Sequence, residues 1–194
     1  MNQADLAVHK IEGLPNVLVD GFRHRLPEAV PRSDRVYVLT HFHSDHYTGL
    51  TERFDHGTIY CTKVTANFIL KILKVSPAVV RALDFDCPLA IPGGATLEFL
   101  DANHCPGAAL VLVTLCDGTT RHLHTGDMRY DPKMKTYPSL QPSAGDIHNL
   151  YLDSTYCHPR HTFCNQAESI DVIVTEARAF LQVCPMSLVK AMLN

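Results

Sequence analysis

Apolar residues along this chain come in short, dense runs separated by polar turns. PNVLVD (15–20), RVYVLT (35–40) and TIYCT (58–62) are rich in β-branched and aromatic side chains, which predicts short buried strands. CPLAIPGGATLEFLDA (87–102) reads as strand, Gly-Gly turn, strand. AALVLVTL (108–115) and TRHLHT (120–125) flank CDGT (116–119), a hairpin closed at Asp117-Gly118. HNLYLDS (148–154) predicts a further strand ending at an aspartate. Two stretches change period: KVTANFILKILKV (63–75) repeats at Val64, Phe68, Ile69, Ile72 and Val75, and Pro77 follows it. QAESIDVIVTEARAFLQV (166–183) repeats at Ile170, Ile173, Val174, Ala177, Phe180 and Leu181. Both predict helices. SDHYTGL (44–50) reads as a turn into a third helix, with Ser44 or Asp45 available as its cap, and GFRHRLPEAVPRSD (21–34) as a loop.

Polar, ligand-type residues recur where these strands stop: Asp20, His41, Asp101 to His104, Asp127 and Asp153. Loops at strand ends are where a sheet protein assembles a site. The pattern therefore predicts a layered α/β protein with one metal cleft along one edge.

Composition narrows this further. The chain has 194 residues, 46% hydrophobic and 19% charged, the profile of a globular domain. A formal net charge of −3 argues against a globally basic nucleic-acid binder, but not against a local site where cations supply the positive charge. Seven cysteines without regular spacing and a start, MNQADLAVHK, unlike a signal peptide predict reduced thiols in an intracellular protein. No apolar run approaches the roughly 18 residues of a membrane span, so no membrane association is expected. Twelve histidines put metal chemistry first among the candidates.

LTHFHSDHYTGL (39–50) concentrates it, with His41, His43, Asp45 and His46 inside six positions. Alternate residues of an extended chain point the same way, so His41 and His43 can share one metal. Asp45 and His46 follow the turn and can serve a second. Imidazole and carboxylate suit Zn²⁺, and two metals about 3.5–4 Å apart are a standard device for hydrolysing phosphate esters. DANHCPGA adds His104 as a third ligand, HTGDMR adds Asp127 as a carboxylate able to bridge, and YLDST adds Asp153. Other candidates read more plainly. Cys157, His158, His161 and Cys164 fit no zinc-finger spacing. His124 is read as a strand side chain, Cys105 as loop packing, and Arg129 as an ion-pair partner of Asp131 or a phosphate contact. His9, His24, His56, His122 and His148 are read as surface or strand residues.

LTHFHSDHYTGL, LDANHCPGA, LHTGDMR and LYLDSTYC together resemble the successive signatures of the metallo-β-lactamase superfamily. More narrowly they resemble its β-CASP branch and, within it, the DNA interstrand cross-link repair exonucleases, the Artemis- and Apollo-like group. The likeness runs from about Pro15 to Gln166, and DANHCPG is its most specific piece. It implies an αββα sandwich, here its N-terminal portion over residues 1–153, with 154–194 as the start of a truncated β-CASP-like region. It implies that His41, His43 and His104 bind metal one, Asp45, His46 and Asp153 metal two, and that Asp127 bridges them. Asp127, Asp45 and His46 are then the catalytic group, and Asp20 holds a ligand loop by hydrogen bonds. The implied cofactor is one or two Zn²⁺, with Mg²⁺ or Mn²⁺ as alternatives at the second position. The implied activity is 5′-to-3′ hydrolysis of DNA phosphodiesters at single-stranded or damaged ends, in the nucleus. After Gln166 the likeness fades: FLQVCPMSLVKAMLN (180–194) stands where the family carries a 5′-phosphate pocket and, further on, a last histidine for metal two. An inactive metal-binding remnant and an RNA-processing β-CASP nuclease are the rival expectations. The intact site positions up to Asp153 favour an enzyme, and DANHCPGA favours DNA.

Overall fold

The computed structural model describes residues 6–183. The chain divides into two compact units at the Asp153–Ser154 junction. The first is a sandwich of two five-stranded sheets. Strands β1 (Lys10–Ile11), β2 (Leu14–Val19), β3 (Val36–Val38), β4 (Thr58–Thr62) and β5 (Val80–Leu83) form one sheet in chain order. β1 is antiparallel to β2, and every later neighbour is parallel. The other sheet runs β10 (Asn149–Tyr151), β9 (Arg121–His124), β8 (Ala109–Thr114), β7 (Thr96–Asp101), β6 (Leu89–Ala90). It is antiparallel except for the β10–β9 pair.

The strand period explains the layering. In the first sheet Val17, Val19, Val36, Val38 and Tyr60 point inward, against Leu97, Phe99, Ala109, Val111 and Val113 of the second. The alternate residues Leu18, Tyr37, Leu39, Ile59 and Cys61 point outward and are equally buried. A parallel sheet covered on both faces needs apolar residues at every position, which is why these runs do not alternate with polar ones. The outer cover is helix α1 (Lys63–Lys71), through Ala66 and Ile69. On the far side Leu100, Leu110 and Leu123 meet Met134, Tyr137 and Leu140. These three belong to or adjoin 3-10 turns at Pro132–Thr136 and Pro138–Leu140, each begun by a proline. The layered α/β sandwich expected of a metallo-β-lactamase-like chain is thus present, with 3-10 turns in the fourth layer. At the edge away from the strand ends that carry Asp20, His41 and Asp127, the β8–β9 hairpin closes on Asp117. Its Oδ1 accepts the N–H groups of Thr119 and Thr120 at 2.8 Å each. Gly118 beside it has φ +71° and open space where a Cβ would stand.

Several elements differ from the sequence reading. Residues 44–50 form successive turns rather than a helix: His43 C=O accepts from both His46 and Tyr47, and Gly49, at φ +97°, ends the helical path. Helix α1 stops at Lys71, because Lys74 turns the chain at φ +57° and Val75 N–H bonds back to Ile69 C=O. Of its apolar repeat, Ile69 and Val75 are buried, Ile69 beside Thr65 and Ala66, while Val64, Phe68 and Ile72 are exposed. β1 and β5 were not anticipated.

In the second unit, which begins at Ser154, the described residues form a loop and helix α2 (Gln166–Val183). A reciprocal cap starts the helix: Glu168 N–H donates to Asn165 Oδ1 at 2.8 Å, and Asn165 N–H to Glu168 Oε2 at 3.3 Å. Of the stretch 180–194, residues 184–194 lie outside the described residues.

Candidate metal centre

Every candidate ligand hangs from a strand end on one edge of the sandwich. Asp20 follows β2 with φ +53°, a left-handed conformation that aspartate tolerates better than most residues. That kink turns its carboxylate toward the segment after β3, while its N–H still pairs with Val38 C=O at 2.8 Å. Thr40 receives it. Thr40 N–H donates to Asp20 Oδ1 at 2.9 Å and Thr40 Oγ1 to Oδ2 at 2.7 Å. Thr40 C=O accepts from Ala109 N–H of the opposite sheet at 3.0 Å.

This hub fixes two imidazoles. With its single proton given to Asp20, Thr40 Oγ1 can only accept from His41 Nδ1, 3.0 Å away. His41 therefore carries its proton on Nδ1 and presents the bare Nε2 lone pair. Burial, then the neighbouring His46 ring, lowers the His41 pKa to about 3, so the ring stays neutral. His46 Nδ1 donates to Asp20 Oδ2 at 2.8 Å, which aims its Nε2 at Asp127. Burial alone would lower the His46 pKa, but the Asp20 hydrogen bond and the charges of Asp20, Asp127 and Asp45 raise it on balance.

The loop after β7 brings His104. Asp101 Oδ1 accepts from Asn103 N–H at 2.9 Å, and Gly107 lies so close to α1 that a Cβ would stand 2.8 Å from Val64 Cβ. The hydroxyls of Thr62 and Thr65 both donate to Gly107 C=O. The loop after β9 brings Asp127. Gly126, at φ +52°, packs against Thr40, and its N–H donates to His124 Nδ1 at 3.0 Å. His124 is thus a support for this turn rather than a ligand; its ring stacks on Tyr151 at 5.7 Å.

Four atoms converge: one nitrogen each from His41, His43 and His104 and one oxygen of Asp127, all within 4.8 Å of one another. His41 Nε2 to His43 Nδ1 is 2.9 Å, and His43 Nδ1 to His104 Nε2 is 3.1 Å. Asp127 Oδ2 is 3.6 Å from both His41 Nε2 and His104 Nε2. Bonds of about 2.0–2.1 Å to a tetrahedral zinc imply ligand–ligand edges of about 3.3–3.4 Å, so these spacings fit such an ion. Asp127 also reaches the other way, with Oδ1 3.2 Å from His46 Nε2; Asp45 Oδ2 lies 3.6 Å from that same nitrogen. One carboxylate therefore faces two separate donor groups, as a bridging ligand does.

Asp153 is placed beside this cluster through its backbone, its N–H donating to Thr125 Oγ1 at 2.9 Å. Its carboxylate is not one of the four converging atoms. Arg129 is exposed, and its N–H bonds Ala102 C=O, tying the Asp127 loop to the His104 loop. His158 and His161 hydrogen-bond to Arg160, and Cys157 to Cys164 form no metal-binding group among the described residues. Thr40 was missed by sequence reasoning. Its only signal was a hydroxyl residue at a strand end, immediately before the first histidine.

No family model matches the chain. Over 180 residues, 93% of this chain, it is 39% identical to the DNA cross-link repair protein SNM1 of Arabidopsis thaliana. It is 46% identical over 153 residues to the DNA cross-link repair 1A protein of Gallus gallus, and 40% over 125 residues to the 5′ exonuclease Apollo of the same organism. The chain covers 35%, 15% and 26% of those three relatives. Among solved structures, the metallo-β-lactamase fold protein YhfI from Bacillus subtilis is 21% identical, with a TM-score of 0.44, over 59% of this chain and 47% of that one. At 36–46% identity over 64–93% of its length, the chain is a homologue of the SNM1, 1A and Apollo proteins of DNA cross-link repair, and it spans about a third or less of each.

Proposed function

We propose that this chain carries the catalytic centre of a metal-dependent DNA nuclease. It would hydrolyse phosphodiesters of single-stranded or damaged DNA from the 5′ end, and work in the nucleus. The observation that carries the reading is Asp127, whose two oxygens face a three-histidine group on one side and His46 with Asp45 on the other. Residues 1–153 form the metallo-β-lactamase-like portion in this reading, and a β-CASP-like region begins at Ser154.

His41, His43, His104 and Asp127 would hold the first ion, and His46, Asp45, Asp127 and Asp153 the second. Three imidazoles with one carboxylate suit zinc; the more oxygen-rich second set also admits Mg²⁺ or Mn²⁺. Bound there, such ions make a water acidic near neutral pH and offset charge on phosphate oxygens. Thr40 and Asp20 keep the His41 and His46 lone pairs aimed inward, so the donor set is formed in advance. Asp127, half-exposed at the mouth, orients the attacking water. Water oxygen adds to phosphorus, the P–O3′ bond breaks, and the 5′-phosphate remains on the shortened strand.

The test uses the purified chain and Asp127→Asn. The chain should retain at least one equivalent of zinc after dialysis without chelator, and cleave a labelled single strand. Asp127→Asn should keep its circular dichroism and lose at least about 100-fold in cleavage. Failure to take up zinc, or undiminished cleavage by Asp127→Asn, would overturn the reading.

A further inference from the structure

Phe42 lies between two of the candidate ligands in sequence, yet its ring leaves the metal cluster. It stacks on Tyr47 at 4.6 Å and 25°, and on Phe68 of α1 at 5.1 Å and 15°. The three rings form a ladder that starts in the His43 loop and ends on the helix. Phe68 is 38% exposed, and Val64 and Ile72, one turn to either side, are 40% and 58% exposed. Spacing of four residues sets all three along one stripe of α1 and its last turn, about 12 Å long at about 1.5 Å per residue. Val64, at its near end, packs on Gly107 of the His104 loop. So the stripe is physically continuous with the metal centre through both histidine loops.

Its charge is distinctive. From Lys63 to Val75 the sequence contains three lysines and no acid, in a chain of net charge −3. Lys63 is paired with Asp84 at 2.6 Å. Lys71 and Lys74 are exposed and make no ion pair with a described residue. Flat rings flanked by unpaired lysines are what a single nucleic-acid strand requires: bases stack on the rings and phosphates take the charges.

We propose that the Phe68 stripe of α1 is a base-stacking platform that guides a single DNA strand into the metal centre. The proposal rests on the nuclease reading for its ligand. It gives Phe68 a positioning role, and Lys71 and Lys74 a backbone-steering one.

The experiment measures equilibrium binding of the full chain to two fluorescent, phosphorothioate-linked strands of equal length, one oligothymidine and one abasic. Wild type should prefer the base-bearing strand. Phe68→Ala and Phe68→Leu should each weaken that strand by about tenfold and leave the abasic strand unchanged, since stacking is worth about 1–3 kcal/mol per base. Lys71→Ala with Lys74→Ala should weaken both strands and flatten the salt dependence by about two charges. Zinc content should be the same in every variant. Equal binding of the two strands by wild type, or no binding of either, overturns the proposal. So does full recovery by Phe68→Leu, which would mean the ring only packs against Phe42 or is covered by protein. Cleavage that needs Asp127 but shows no base preference sinks the platform alone; Phe68-dependent base preference without cleavage sinks only the nuclease reading.

Discussion

Replacing Asp20 with asparagine preserves the shape of the hub and reverses its direction of hydrogen bonding. Asparagine also tolerates φ +53°, so the backbone need not move. The Thr40 N–H, 2.9 Å from Oδ1, holds an oxygen at that position. The new amide nitrogen must then stand where Oδ2 now accepts from Thr40 Oγ1 at 2.7 Å and from His46 Nδ1 at 2.8 Å. Facing a donor, His46 has to accept at Nδ1 and carry its proton on Nε2, the nitrogen aimed at Asp127 and Asp45. Thr40 Oγ1 has two lone pairs and can still accept from His41, so the His41 lone pair suffers less. A charge-assisted bond worth about 1.5–3 kcal/mol is exchanged for a neutral one of about 1 kcal/mol, predicting a stability loss of about 1–2 kcal/mol. Losing the group that orients a metal-bound histidine costs about 10–100-fold in metal affinity. Competition against a zinc chelator of known affinity should therefore show the weaker equivalent reduced by that factor and the tighter one by much less. Two equivalents at wild-type affinity, with unchanged thermal stability, would refute the tautomer argument.

Three other perturbations follow from the same geometry. His124→Ala should keep full zinc content and lose about 1 kcal/mol in urea unfolding, because it removes the acceptor for Gly126 N–H but no ligand. Gly49→Ala should cost about 2–4 kcal/mol and deplete metal, since a Cβ there sits at φ +97° and 2.7 Å from the backbone nitrogen of Arg23. Burial would raise the Asp101 pKa, but Asn103 N–H and Lys133 hold it below the usual 3.8. A lowered carboxylate stabilises the fold above its unfolded pKa and loses that contribution as pH falls through the folded value. Asp101→Asn should therefore lose less than about 1 kcal/mol at pH 7. The difference from wild type should narrow as the pH falls below 3.8.

The sequence exposed the parallel strands because their burial on both faces leaves unbroken apolar runs such as VYV and TIYCT. It also singled out His41, His43, His104 and Asp127, because histidines and acids recur at successive strand ends, and these four side chains do converge. It misdirected at 44–50, where cap-like residues suggested a helix. The stop came from Gly49, whose close approach to Arg23 is a long-range fact with no local sign. Helix α1 was legible as a helix but not in its orientation. Its period showed a helix, but the face it buries was decided by which side meets the sheet, and that turned out to be Thr65, Ala66 and Ile69. The role of Thr40 was invisible because it depends on Asp20, twenty positions earlier, arriving in a left-handed conformation.

The hairpin tip at Asp117-Gly118 has a consequence for anyone wishing to handle this protein. It sits at the edge of the sandwich opposite the candidate ligand loops, with no atom within 4 Å of where a Gly118 Cβ would stand, and its bonds are confined to Leu115 through Thr120. A fluorophore or a surface tether attached at position 118 would start in open space. The protein could be immobilised or tagged there, at the far end of the strands from the His41, His104 and Asp127 loops.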